Sequence, residues 1–178
     1  MVIALSGAQC TGKTTLLNML KCDEKISSNF SFIDEIVRNI QKEGFKINEN
    51  GTDETQIKIM EKHKQNLSIK GNVIVDRCVL DCMSYTIWMW RHHKITRETY
   101  YYCYREFMEN IMKYDIIFYL TPEFDIVSDG VRSADEKFRN EIVSIFEHLI
   151  KEFNITVVRL TGAAEERLKS TKKILNIK

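Results

Sequence analysis

The chain has 178 residues, of which 44% are hydrophobic and 29% are charged, and its formal net charge is +1. This size predicts one domain over residues 1–178 with a single core. The near-zero charge excludes a global electrostatic field for nucleic acids or membranes, and no apolar run approaches the roughly 20 residues needed to span a bilayer. We expect a cytoplasmic protein with no membrane partner.

Short apolar runs alternate with helical patterns along the whole chain. Strands are predicted at residues 2–5, 30–33, 73–75, 116–120 and 155–160, and helices are predicted to begin near Lys13, Asp34, Asp53, Val79, Thr96, Asp135 and Ala163. Strands that alternate with helices form a parallel sheet covered by helices on both faces. The sequence therefore predicts a three-layer α/β domain with a five-stranded parallel sheet.

The eight residues directly after the first predicted strand match the phosphate-loop pattern G-x-x-x-x-G-K-[ST]. In such a loop the glycines let backbone N–H groups point at an anion, and the next helix adds the positive end of its dipole. Lys13 would reach the β- and γ-phosphates and Thr14 would hold Mg²⁺. The candidate nucleotide-binding residues are Gly7, Gln9, Cys10, Thr11, Gly12, Lys13, Thr14 and Thr15.

Acidic residues follow two of the predicted strands, where ligands of open parallel sheets bind. Asp76 closes the third strand and is either a direct or water-mediated Mg²⁺ ligand or a helix cap. Asp34 and Glu35 close the second strand. Asp34 is either an N-cap or an acceptor-side carboxylate, so Glu35 is the better candidate to take a proton from an acceptor hydroxyl.

Several arginines lie near these carboxylates or later in the chain. Arg38 lies one turn beyond Asp34, and Arg77 follows Asp76 directly. Arg132 and Arg139 are candidate lid residues within residues 122–139, where they would neutralise charge on a transferred phosphoryl group, although either alone is as compatible with a solvated surface. Thr161 ends the fifth strand at a turn that either grips an adenine ring or is an ordinary β–α turn.

Residues 88–105 combine aromatic and basic side chains. They either stack a nucleic-acid base or form a helical hairpin whose aromatic residues are core. Residues 53–70 and 96–112 either form walls of an acceptor site or form the faces of a homodimer.

These motifs together resemble the P-loop nucleoside and nucleotide kinases, most closely the kinase domain of bacterial nicotinamide riboside kinases. The resemblance runs nearly end to end and rests on GAQCTGKTTL at residues 7–16, Glu35-x-x-Arg38, Asp76-Arg77, DGVR at residues 129–132 and TGxxEER at residues 161–167. It implies a P-loop NTPase fold with a short lid, ATP and Mg²⁺ as cofactors, Glu35 or Asp76 near the acceptor hydroxyl, and Asp34, Arg38 and Arg77 on the acceptor side.

Three functions are compatible with this pattern. The first is an ATP-dependent kinase that acts on a nucleoside- or nucleotide-like acceptor. The domain is also similar to phage enzymes that phosphorylate 5-hydroxymethyluracil in DNA, which would make DNA the partner. The third is a regulatory switch ATPase that binds a protein and hydrolyses nucleotide slowly.

Overall fold

A computed structural model describes residues 1–34, 36–123 and 135–176 of the protein. Its five strands form one parallel sheet with the order β2-β3-β1-β4-β5. The strands are β1 (Val2–Ser6), β2 (Ser31–Ile33), β3 (Val73–Asp76), β4 (Ile116–Leu120) and β5 (Val158–Leu160). The helices are α1 (Lys13–Cys22), α2 (Glu24–Ser27), α3 (Ile36–Lys42), α4 (Asp53–Asn66), α5 (Val79–Arg91), α6 (Arg97–Asn110), α7 (Glu136–Glu152) and α8 (Ala164–Ile174).

Alternation of side chains along the strands builds a separate core on each face of the sheet, because successive strand residues point to opposite faces. Ile3 and Leu5 pack into a core with α1, α2 and α8, whereas Val2 and Ala4 pack into a larger core that includes α3 to α7. The three-layer parallel architecture predicted from the sequence is confirmed, whereas the prediction of a single core was wrong because the sheet divides the core in two.

The sheet order places β1 in the centre, between β3 and β4. The loop from residue 7 to residue 12 therefore leaves the carboxyl edge of the sheet with the end of β3 on one side and the end of β4 on the other. This is the edge at which open parallel sheets bind ligands. The order of the strands therefore determines where the candidate site lies.

The fifth strand is shorter than the sequence predicts. It covers Val158–Leu160, three residues fewer than predicted, because the N–H of Ile155 donates to the carbonyl of Ile150 and so closes the end of α7. Helix α7 begins at Glu136 after the N-cap Asp135, which agrees with the predicted start near Asp135.

Residues 88–105 lie in a hairpin formed by α5 and α6, and a helical hairpin was one of the two interpretations of this segment. Trp88 is buried and stacks on His92, with ring centroids 4.0 Å apart, and its indole N–H donates to Glu141 at 2.6 Å. Trp90 and Tyr101 are the more exposed aromatic residues of the hairpin. Trp88 is therefore core and Tyr100, Tyr102 and Tyr104 are half-buried, whereas the residues from Arg91 to Lys94 are exposed. No helix in the described ranges is long and apolar enough to cross a membrane.

Candidate functional site

The phosphate loop has the backbone conformation that an anion site requires. Gly12 precedes α1 with φ +84°, caps the helix without a side chain, and is followed by a first turn that contains no acidic residue. The positive end of the α1 dipole is therefore not neutralised by a capping carboxylate. Lys13 is buried and its ammonium donates to the carbonyls of Gly7 at 2.9 Å and Ala8 at 2.5 Å. The lysine charge is thus held over the loop.

Thr14 and Asp76 meet where the loop passes the end of β3. The hydroxyl of Thr14 donates to Oδ2 of Asp76 at 3.2 Å, and Asp76 is 1% exposed. A hydroxyl and a carboxylate are the hard oxygen donors that suit Mg²⁺. The described part of the chain contains no group of three or more His, Cys, Asp or Glu residues that would hold a metal alone. A metal at this point would need oxygen atoms from the nucleotide or water as well.

Arg77 occupies a backbone conformation that is unfavourable for a residue with a side chain. Its φ is +76°, and its N–H donates to the carbonyl of Leu5 at 2.9 Å. A left-handed conformation costs about 1–3 kcal/mol for a residue other than glycine and is typical of functional sites. The guanidinium carbon lies 5.8 Å from the centre of the Tyr85 ring, and the side chain is buried against Asp81.

A partly open cavity of about 40 Å³ lies beside Arg77. It is bounded by α3, α4, α5 and the turn that contains Asn48 and Gly51, and its lining residues are Val37, Asn48, Gly51, Thr55, Gln56, Ile59, His63, Arg77, Asp81, Cys82, Tyr85 and Met89. Ligand pockets are commonly about 300–1,000 Å³, so a larger molecule would enter only if flexible side chains moved.

The side-chain amide of Gln56 forms hydrogen bonds with sulfur atoms in the cavity wall. Its Nε2 lies 2.8 Å from Sδ of Met89, and its Oε1 accepts from the Cys82 thiol at 3.9 Å. Sulfur is a weak hydrogen-bonding partner, yet Gln56 is only 3% exposed. A polar ligand in the cavity would therefore form stronger hydrogen bonds with the Gln56 amide than the two sulfur atoms do.

The turn after β5 is held against the phosphate loop by a buried arginine. Arg167 is 1% exposed and donates to the carbonyls of Thr11 at 2.6 Å, Gly162 at 2.8 Å and Thr121 at 3.2 Å. Glu123 accepts from the backbone N–H of Gly162, which lowers the pKa of its carboxyl. The exposed Thr161 lies at this turn, so its place beside the loop is fixed by Arg167.

The other predicted residues are placed as follows. Asp34 is exposed and forms an ion pair with Lys21, whereas Arg38 lies half-buried in α3 next to the cavity residue Val37. Arg139 is buried in the first turn of α7. Thr15 is exposed, and Gln9, Cys10 and Thr11 lie in the loop. Glu35 and Arg132 lie outside the described residues, and so does Asp129.

Three residues that shape the site were not singled out from the sequence. Asp81 and Tyr85 follow Arg77 at intervals of four residues, which places all three near one face at the start of α5. Gln56 interrupts the apolar face of α4 that carries Ile59 and Met60. These spacings were available signals. Arg167 was part of the TGxxEER motif that supports the resemblance, but the sequence gave it no individual role.

The loop, its lysine and the sheet order define a P-loop nucleotide-binding fold. Residues 2–167 match the AAA domain family, and the chain belongs to that family. No curated protein matches the sequence significantly.

Solved structures share the same fold at low sequence identity. A NadR protein in complex with NR is 18% identical with a TM-score of 0.78, over 99% of this chain and 52% of that one. A deoxyadenosine kinase from M. mycoides is 18% identical with a TM-score of 0.69 over the full length of both chains. A thymidylate kinase from Candida albicans is 15% identical with a TM-score of 0.64, over 98% of this chain and 90% of that one. This chain spans about half the length of the NadR chain. The predicted resemblance to P-loop nucleoside and nucleotide kinases is confirmed at the level of the fold.

Proposed function

We propose that the protein is a kinase that transfers the γ-phosphoryl group of ATP to a hydroxyl or phosphate of a nucleoside-like acceptor. One observation carries this proposal: Asp76 and Arg77 are consecutive, and Asp76 contacts the phosphate loop through Thr14 whereas Arg77 lines the cavity. A phosphate-binding loop and a partly open cavity therefore meet across one peptide bond. Phosphoryl transfer needs this proximity, because its catalysis is mainly positioning and charge neutralisation.

The loop residues suit the donor side of such a reaction. Lys13 and the α1 N-terminus would stabilise negative charge on the β- and γ-phosphates. Thr14 and Asp76 would hold Mg²⁺, which neutralises phosphate charge when it is bound. In this scheme Arg139 and Arg132 act on the transferred group, and either Glu35 or Asp76 accepts the proton of the acceptor hydroxyl.

The polar lining of the cavity supports a nucleoside-like acceptor. Gln56 offers an adjacent donor and acceptor on one amide, which matches the paired donor and acceptor on the edge of a nucleobase. Arg77 supplies a cation on the cavity wall, and Arg38 and Asp34 are proposed for the acceptor side as the family resemblance implies. A switch ATPase would not need a mostly apolar cavity with a few polar groups beside Asp76, so the cavity favours a kinase.

The proposal is tested by transfer of label from [γ-³²P]ATP in the presence of Mg²⁺. The acceptor panel includes nicotinamide riboside, deoxyadenosine, deoxycytidine, thymidine, their monophosphates, and DNA that contains 5-hydroxymethyluracil. Label in a small molecule supports the proposal and names the acceptor. Label only in DNA would replace it with the DNA kinase, and partner-dependent ATP hydrolysis without any labelled acceptor would replace it with the switch.

Lys13→Met provides the matched control for this assay. The substitution keeps a long apolar stem in a buried position but removes the ammonium that contacts Gly7 and Ala8. We expect transfer to fall by at least about 100-fold while the circular dichroism spectrum stays unchanged. Transfer at the wild-type rate by Lys13→Met would show that the activity does not arise at this loop.

A further inference from the structure

Asp81 has more hydrogen bonds than its place at the start of α5 requires. Its Oδ2 accepts from the backbone N–H of Cys78 at 3.1 Å, which completes the N-terminal cap of the helix. The same oxygen accepts from the Ser6 hydroxyl at 2.7 Å, and Oδ1 accepts from the N–H of Gly7 at 3.3 Å. Ser6 and Gly7 are 75 and 74 residues away in sequence. The carboxylate therefore joins the helix to the first residue of the phosphate loop.

The charge of Asp81 faces a buried cation on the cavity side. Nη1 of Arg77 lies 3.6 Å from Oδ1 of Asp81, and both side chains are almost completely buried. Burial, with a further contribution from Asp81, raises the pKa of the Cys78 thiol well above its usual value. The thiol therefore stays protonated and donates to Oδ2 at 3.4 Å. A buried carboxylate is retained only where such partners compensate its lost hydration.

A second contact repeats this connection one turn further along α5. The hydroxyl of Tyr85 donates to Oε1 of Gln9 in the phosphate loop at 2.9 Å. Tyr85 and Asp81 both line the cavity, and the Arg77 guanidinium lies over the Tyr85 ring. The start of α5 thus touches the loop at two points with the same residues that form the cavity wall.

We propose that Asp81 is a positioning residue for phosphoryl transfer, which fixes the phosphate loop, through Ser6 and Gly7, relative to Arg77 on the wall of the acceptor cavity. The inference rests on the proposed kinase function. Asp81 does not act as the base, because its two oxygens accept four hydrogen bonds from Ser6, Gly7 and Cys78. Its removal should misplace donor and acceptor without removing the phosphate-binding groups of the loop.

The test compares Asp81→Asn with Asp53→Asn. Both variants lose one carboxylate that bridges distant elements, since Asp53 accepts from the N–H and the hydroxyl of Thr96. Asp53 contacts neither the loop nor Arg77 through these bonds. We expect kcat of Asp81→Asn to fall by about 100-fold, the size of effect that a misplacement near 1 Å produces. The Kd of ATP should change by less than about threefold, because the amides of residues 8–14 remain. Asp53→Asn should keep the wild-type kcat.

Two further measurements distinguish a positioning role of Asp81 from a role only as a helix cap. They also distinguish failure of this inference from failure of the proposed kinase function. In Asp81→Asn, the Gly7 amide should exchange with solvent at least about tenfold faster than in Asp53→Asn, in the absence of any substrate. Ser6→Ala removes one bond to the same carboxylate and should give a smaller fall in kcat, which keeps the test valid if Asp81→Asn does not fold. Unchanged kcat and Gly7 exchange in a folded Asp81→Asn would overturn the inference. Wild-type protein that labels no acceptor would refute the kinase instead, and Gly7 exchange would still decide whether Asp81 holds the loop.

Discussion

Replacing Gly7 by alanine tests whether the phosphate loop depends on close contact with β4. A Cβ at this position would lie 2.6 Å from the carbonyl oxygen of Leu120 and 3.3 Å from Oγ1 of Thr11. The first distance is shorter than real Cβ atoms show, and the neighbour is backbone at the end of a central strand. The loop therefore cannot keep its position in Gly7→Ala unless the sheet edge moves.

The magnitude follows from two contributions. A side chain at φ +142° is strained by about 1–3 kcal/mol, and overpacking of a filled site costs a further 1–3 kcal/mol or so. We expect Gly7→Ala to lose about 4 kcal/mol of unfolding free energy. At about 2–4 °C per kcal/mol for a chain of this size, Tm should fall by about 8–16 °C.

Gly44 and Gly71 provide controls for backbone strain alone. Their φ angles are +92° and +91°, and a Cβ at either position would meet nothing within 4 Å. Gly44→Ala and Gly71→Ala should therefore lose only about 1–2 kcal/mol. The difference between Gly7→Ala and these controls measures the contact with Leu120.

The assays are thermal denaturation followed by circular dichroism and ATP binding followed by calorimetry. ATP affinity should fall by about tenfold or more in Gly7→Ala, because the carbonyl of Gly7 helps to hold Lys13. The two controls should bind ATP as the wild type does. The reasoning is refuted if Gly7→Ala is no less stable than Gly44→Ala and binds ATP equally well.

Three further predictions use other parts of the structure. Saturating Mg·ATP should protect Cys10 in the loop from iodoacetamide, whereas Cys22, exposed at the end of α1, should react at an unchanged rate in mass spectrometry; equal slowing of both would indicate general stabilisation. The Gly162 N–H lowers the pKa of Glu123, so the stability of the wild type relative to Glu123→Gln should be present at pH 7 and decrease as the pH falls below 4.5, measured by urea denaturation; a difference that does not decrease between pH 5 and pH 3 would contradict this cause. Arg77→Gly should be more stable than Arg77→Ala by about 1 kcal/mol, because both lose the guanidinium and only glycine relieves the φ of +76°; equal stability would show that the conformation is unstrained.

Much of the fold was predictable because its signals are local. The run at Ile116–Leu120 has the same bounds in sequence and structure, since a buried parallel strand is apolar throughout. The short helix α2 was not predicted, because four residues show no periodicity and depend on the N-cap Asp23. The predicted length of β5 was wrong for a related reason. The N–H of Ile155 forms a hydrogen bond that ends α7 and is not available to the sheet, and no residue pattern near position 155 indicates this.

The site was predictable to the extent that its residues form one continuous motif. Lys13 and Thr14 belong to such a motif, and Asp76 was found because it ends a strand beside the loop. Gln56 and Asp81 were missed because their importance depends on which helix faces lie toward the cavity, and this is a property of packing. The assignments of Glu35 and Arg132 stay predictions.

Two residues other than glycine have a left-handed backbone where the loop meets the cavity wall. They are Cys10 in the loop and Arg77 directly after Asp76, whereas His93, Asn154 and Asn176 have positive φ elsewhere in the chain. At the end of an ordinary strand, the residue after Asp76 would continue in extended conformation and carry its side chain out of the sheet edge. The left-handed turn at residue 77 instead accompanies a guanidinium buried against Asp81 and Tyr85, one residue from the carboxylate that meets Thr14. Strain of this kind persists only when surrounding contacts over-determine it. Arg77 itself contacts Leu5, Asp81 and Tyr85, and the last two residues also bind the loop at Gly7 and Gln9.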